Sequence, residues 1–149
     1  MTALPVSDGA VDVVLAECVL CLADDLDAAL AETDRVLAPD GRLALSDVVV
    51  EGDVPDLPDP IARALCLTGS REQRSLCQRI ERAGYRIEET RTHRADLLAM
   101  RDDLAASVDY EGLLGAMGER GQRVLAGIEA LETAVEDGRI NYVSLVASV

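Results

Sequence analysis

An α/β fold built on a parallel crossover is predicted by three features of this sequence. Asp12 to Ala16 (D-V-V-L-A) is a short β-branched run behind the turn residues Ser7-Asp8-Gly9. Leu26 to Leu37 carries apolar residues at helical spacing, and Pro39-Asp40-Gly41 stops it. Arg42 to Val50 (R-L-A-L-S-D-V-V-V) is a second β-rich run. Strand, helix, turn and strand in that order make one crossover unit, because parallel strands need a long connection between them.

The remaining elements follow from local chemistry. Pro55, Pro58 and Pro60, interleaved with acids between Glu51 and Pro60, predict an exposed loop, since proline lacks a backbone donor and disfavours helix at the residue before it. A short helix is expected from Ile61 to Leu67, ending at Gly69. Ser70 is a suitable N-cap for a helix from Arg71 to Arg82, with Gly84 beyond its end. Leu76, Cys77, Ile80 and Ala83 fall on one face of it. Tyr85 to His93 reads as a strand. Residues 94 to 136 read as helix with two apolar stripes, one through Leu97, Met100, Leu104 and Val108, the other through Val124, Leu125, Ile128, Leu131 and Val135. The four glycines between Gly112 and Gly121 predict a break, and Asp137-Gly138 a turn before a last apolar strand from Ile140 to Val149.

Composition narrows the function classes. A chain of 149 residues at 49% apolar composition reads as a single domain, 1–149. Its core is aliphatic, with no Phe or Trp, and all 14 basic residues are arginine. The net charge of −14 without a basic stripe argues against nucleic acid. No apolar run is long enough for a membrane span, and the first residues do not read as a secretory signal. With the four cysteines Cys18, Cys21, Cys66 and Cys77 taken as free thiols, the expected location is the cytoplasm. Their spacing fits no zinc pattern.

The segment from Leu4 to Val50 resembles the fourth-to-fifth-strand block of class I S-adenosylmethionine (SAM) methyltransferases, roughly L-P-F-x-D-x-x-F-D-V-V followed by R-V-L-x-P-G-G-R-L, of the type 11 kind. Ala83-Gly84-Tyr85 matches the A-G-F that leads into the sixth strand there. The resemblance implies a partial Rossmann-like sheet of strand order 4-5-7-6, with a helical insert at about 94–137 before the last strand. It also implies a cofactor cleft wall at Ala16, Glu17 and Val19. The glycine-rich first strand and turn of that fold have no counterpart ahead of Leu4, and Thr2-Ala3 lacks the usual acid near the adenine. SAM binding is therefore expected to be weak or partner-dependent. The fourth strand would present a free apolar edge, for which a homodimer is expected, with residues 11–16 or the apolar helical insert at the interface.

Two cysteine contexts resemble arsenite methyltransferases in particular. Glu17-Cys18-Val19-Leu20-Cys21-Leu22 aligns with N-C-V-x-N-L, and Asp59-Pro60 followed by Cys66-Leu67-Thr68-Gly69-Ser70 aligns with D-P-x-x-x-x-x-C-x-x-G-A. The resemblance makes Cys18 and Cys66 ligands of a trivalent metalloid, with a small molecule or metalloid as substrate. Both asparagines of the first motif are replaced here, by Glu17 and Cys21. Cys21 and Cys77 are expected to pack in the core, because unpaired cysteine is among the most buried residue types. Asp47 is expected to be structural and His93 a surface or capping residue, and no catalytic residue stands out. The competing readings are a non-catalytic dimeric α/β module that keeps a thiol site and a structural subunit of a larger methyltransferase.

Overall fold

In a computed structural model, which describes residues 3–149, the chain forms one four-stranded sheet flanked by helices. Strand β1 (Val11–Glu17) runs parallel to β2 (Leu37–Val50) through helix α1 (Leu26–Val36), the crossover read from the sequence. Asp25 caps α1, its side chain accepting from the Ala28 N–H. The Pro39-Asp40-Gly41 turn lies within the first residues of β2. There Val11 pairs with Leu37 and Val13 with Arg42, so the turn residues are bulged out of the ladder. Glycine is required at position 41, where a Cβ would stand 2.7 Å from the Ala38 carbonyl oxygen.

Helices α2 (Asp59–Ala64) and α3 (Gln73–Arg82) precede β3 (Arg86–Thr92). Ser70 does not cap α3. Glu72 occupies the N-cap, and the Ser70 hydroxyl donates instead to the Leu67 carbonyl. The cause is a bridge between Arg71 and the sheet, in which the Val50 N–H donates to the Arg71 carbonyl and so delays the helix. Three helices follow, α4 (Arg94–Ser107), α5 (Tyr110–Gly115) and α6 (Glu119–Glu136), with breaks at either end of α5. Strand β4 (Ile140–Ser148) then inserts antiparallel between β2 and β3, giving the order β1-β2-β4-β3. That is the 4-5-7-6 order implied by the resemblance.

Alternation along the strands divides the core into two clusters. One face of the sheet, with Leu43, Leu45, Val49, Val143 and Leu145, packs against Leu30 of α1 and Leu76 and Ile80 of α3. The other face is covered at one end only, where Val50 and Ile140 meet Leu57, Ala62, Leu67 and Ala134. Of the two stripes predicted after residue 94, that of α6 lies along this second cluster through Leu131 and Val135. The stripe of α4 does not become core. Helix α4 buries no residue, and Met100 and Leu104 are largely exposed. Among the described residues no helix is long and apolar enough to cross a membrane.

Candidate functional site

The carboxyl ends of β1 and β2 bring three cysteines and one acid together. Strand β1 ends at Glu17, and the Cys18 N–H still donates to the Ser46 carbonyl of β2, which holds Cys18 at the strand tip. The chain then turns sharply through a 3-10 turn at Leu20–Leu22, placing Cys21 inward at 5% exposure. Cys66 arrives from the loop after α2, its N–H donating to the Arg63 carbonyl. The Cys66 thiol lies 3.8 Å from the Cys18 carbonyl oxygen. The Cys18 and Cys66 sulfurs and a carboxylate oxygen of Asp47 all fall within 4.8 Å of one another, a spacing at which one ion would reach all three. Cys21 is near enough to Cys66 and Asp47 for both to raise its thiol pKa.

Backbone strain marks the same place. Cys18 and Cys66 have φ of +48° and +59°, and with Asp40 they are the non-glycine residues of positive φ among those described. A side chain there crowds the following carbonyl, at a cost of roughly 1–2 kcal/mol per residue. Surrounding structure must impose such a conformation, and conformations of this kind cluster at functional sites. Part of that structure is visible at Gly69. A Cβ there would fall inside the Cys21 carbonyl group, so only glycine lets the Cys66 loop seat against the Cys21 backbone.

Burial disfavours ionisation of the Cys18 and Cys21 thiols and of the Asp47 carboxyl. Burial pushes the Cys18 thiol up to about 11, with the neighbouring Cys66 sulfur adding to the effect. Burial also raises the Cys21 thiol, followed by its contacts with Cys66 and Asp47. Asp47, 3% exposed, is raised by burial too, against the opposing pull of the nearby Cys21, the Val48 N–H that its carboxylate accepts from and the charge of Arg71. Tyr142 closes one side, its hydroxyl donating to the Ser46 hydroxyl at 2.6 Å.

The sequence-derived site residues are thus distributed unevenly. Cys18 and Cys66 meet, although 48 residues separate them. Of the expected cleft wall, Ala16 turns its side chain into the core at 4% exposure, Glu17 is exposed, and Val19 is 40% exposed. Those residues suit one wall of a cofactor cleft. Cys77 packs against the core as expected. Two members of the cluster were not read as site residues, Cys21 and Asp47. The available signals were the three-residue step from Cys18 and the place of Asp47 near a strand's carboxyl end. The expected acid position at Thr2-Ala3 lies partly outside the described residues, at Thr2. His93 bridges Ser144 of β4 (2.7 Å from Nε2) and Asp96 of α4 (3.1 Å from Nδ1), tying the insert to the sheet.

Comparison with known proteins gives the same orientation. A family of methyltransferase domains matches residues 1–45. An arsenite methyltransferase of Halobacterium salinarum is 38% identical over 88 residues, 58% of this chain and 22% of that protein. Among solved structures, geranyl diphosphate C-methyltransferase from Streptomyces coelicolor A3(2) superposes with a TM-score of 0.71 at 18% identity, covering 99% of this chain and 50% of that one. An arsenic(III) SAM methyltransferase from Chlamydomonas reinhardtii superposes at 0.51 and 20% identity, over 97% of this chain and 38% of that one. The chain is therefore methyltransferase-like, with a Rossmann-like α/β sheet. It spans about a fifth of the curated relative's length and half or less of the structural neighbours.

Proposed function

We propose that this chain is the acceptor-holding part of a SAM-dependent methyltransferase whose substrate is a trivalent metalloid, arsenite in the first instance. The observation that carries this reading is the approach of Cys18 and Cys66, both in left-handed backbone, across 48 residues of sequence. Trivalent arsenic is soft and thiophilic, and converging sulfurs are the donors that select it. Cys18 and Cys66 hold the metalloid, and Asp47 and Tyr142 bound the site beside them. Glu17 and Val19, exposed at the tip of β1, face the cofactor side, while Ala16 contributes there through its backbone alone. A bound SAM would supply an electrophilic sulfonium methyl; the role of this chain is to fix the position of the atom that receives it. The likeness to the Halobacterium salinarum arsenite methyltransferase over 88 residues supports that choice of acceptor.

Thiol protection tests it. Arsenite at low micromolar concentration should shield two or more thiols from alkylation, counted by mass spectrometry. The shielding should disappear in Cys18→Ser and in Cys66→Ser but survive in Cys77→Ser. Equal alkylation with and without arsenite would overturn the reading. Calorimetry with SAM checks the cofactor side separately, and the incomplete wall predicts weak heat unless the remaining part of the fold is supplied.

A further inference from the structure

We infer a second reactive centre on the open face of the sheet, where His93 and Asp96 make Ser144 a nucleophile toward small carboxylic esters. It does not rest on the acceptor reading above, because none of its residues belongs to that site.

Strand register assembles it. Ser144 of β4 lies opposite Ser46 of β2 and Arg91 of β3, and directly opposed residues project from the same face. That face is covered only at its far end, where Val50 and Ile140 meet their cluster. Past the end of β3 the His93 N–H donates to the Tyr142 carbonyl at 2.7 Å, which carries the pairing one residue further. His93 occupies the N-cap of α4, yet its side chain makes no capping hydrogen bond. The ring turns to the sheet instead, with its centroid 6.0 Å from that of Tyr142. Ser144 is 51 residues away in sequence, so no local motif displays the three groups together.

The result is a histidine base oriented by a carboxylate. His93 Nδ1 is 3.1 Å from an Asp96 carboxylate oxygen, and Nε2 is 2.7 Å from the Ser144 hydroxyl. A carboxylate only accepts, so Nδ1 carries the proton of the neutral ring and Nε2 presents its lone pair. The Ser144 hydroxyl donates to that lone pair, which is how a weak nucleophile is activated. Asp96 acts through the ring and is a positioning residue.

In front of Ser144 is an open cavity of about 250 Å³, lined by Glu89, Arg91, His93, Ser144, Leu145 and Val146. Pockets for drug-sized ligands run to roughly 300–1,000 Å³, so this one suits a short acyl group. Arg91, ion-paired with Glu89, brings positive charge to the wall where an oxyanion would develop.

The chemistry balances with water alone. Ser144 Oγ bonds to the ester carbonyl carbon and its proton passes to Nε2. The departing alkoxide takes that proton as its C–O bond breaks. Water attacks the acyl-serine by the same route, so one ester and one water give one acid and one alcohol. A fluorophosphonate stops at the first stage: an O–P bond forms, the P–F bond breaks, and fluoride leaves with the proton.

Adduct mapping by peptide mass spectrometry tests this. A fluorophosphonate probe and p-nitrophenyl acetate should each modify Ser144 in the unmodified chain. Neither should modify Ser107, an exposed serine whose hydroxyl donates to a backbone carbonyl. Ser144→Ala should abolish the adduct, and His93→Ala should slow its formation about 100-fold or more. Asp96→Asn should slow it too, and Asp96→Glu should restore part of the rate. Circular dichroism checks folding, and the exposed Asp96 variants keep the test decisive should His93→Ala not fold. A histidine that merely ties the insert to the sheet predicts no special reactivity at Ser144. Absence of either adduct from Ser144, or rates unchanged by His93→Ala and Asp96→Asn, would overturn the inference and leave the Cys18–Cys66 reading untouched.

Discussion

The Cys66 thiol stands 3.8 Å from the Cys18 carbonyl oxygen, and both residues hold left-handed backbone on loops that leave different elements. The strain at each is relieved by removing the side chain's Cβ, which sets the usual ranking of small residues against itself. Glycine in ordinary structure is less stable than alanine by roughly 0.5–1 kcal/mol. At Cys66 the left-handed penalty of about 1–2 kcal/mol works the other way. Cys66→Gly should therefore be as stable as Cys66→Ala or more stable, by about 0–1 kcal/mol, in urea unfolding. A clear advantage for alanine would mean that position 66 is not held at positive φ.

Gly69 is the counterpart of that strain. With a Cβ directed into the Cys21 carbonyl, Gly69→Ala forces the Cys66 loop away from the 3-10 turn. The expected cost is about 1–3 kcal/mol, as for other overpacked sites. The same variant should raise the alkylation rate of Cys21 and Cys66, because the loop that shields them has moved. Gly115, which has open space around it, is the control. Gly115→Ala should leave the thiols unchanged.

Titration of the thiols gives stability a particular alkaline limb. Burial first, and Cys66 second, push Cys18 from 9.0 up to about 11. A thiol that holds its proton more tightly in the folded state contributes stability that is complete below 9.0 and disappears as pH rises to about 11. The urea midpoint should fall across that window, and Cys18→Ser should flatten the fall. Alkylation of Cys18 should be slow at neutral pH and accelerate through the same range, because the thiolate is the nucleophile.

Packing separates residues that look alike in the sequence. Ile80 on α3 is fully buried, and Ile80→Ala should cost about 2–5 kcal/mol. Leu104 on α4 lies on a stripe of equal regularity but is 56% exposed, so Leu104→Ala should stay within about 0.5 kcal/mol. Periodicity shows which face of a helix is apolar, not whether another layer covers it. This is why the strand and helix order was legible from the sequence while the depth of α4 was not. Ser70 failed as a cap for a related reason, since the Arg71 bridge to β2 is a long-range contact that no local pattern displays. The pairing of Cys18 with Cys66 was legible only through resemblance. The inclusion of Cys21 and Asp47 needed the fold, because it depends on a turn and a strand end meeting at one point.

The outer edge of β1 leads to the last expectation. Among the described residues no strand pairs with that edge, and Val13 and Leu15 on it are 57% and 67% exposed. Unpaired backbone beside exposed β-branched and leucine side chains is a template for further strand pairing, which soluble proteins cover or blunt. A second copy related by a two-fold axis would bury both edges at once. Sedimentation velocity at micromolar concentration should therefore show a dimer. Leu15→Lys should shift it to monomer, by placing a charge on the apolar edge, without lowering the unfolding midpoint extrapolated to infinite dilution. Leu104→Lys, on the exposed face of α4, should leave the dimer intact. A monomer for the unmodified chain, or a dimer lost through Leu104 and not Leu15, would remove β1 as the contact.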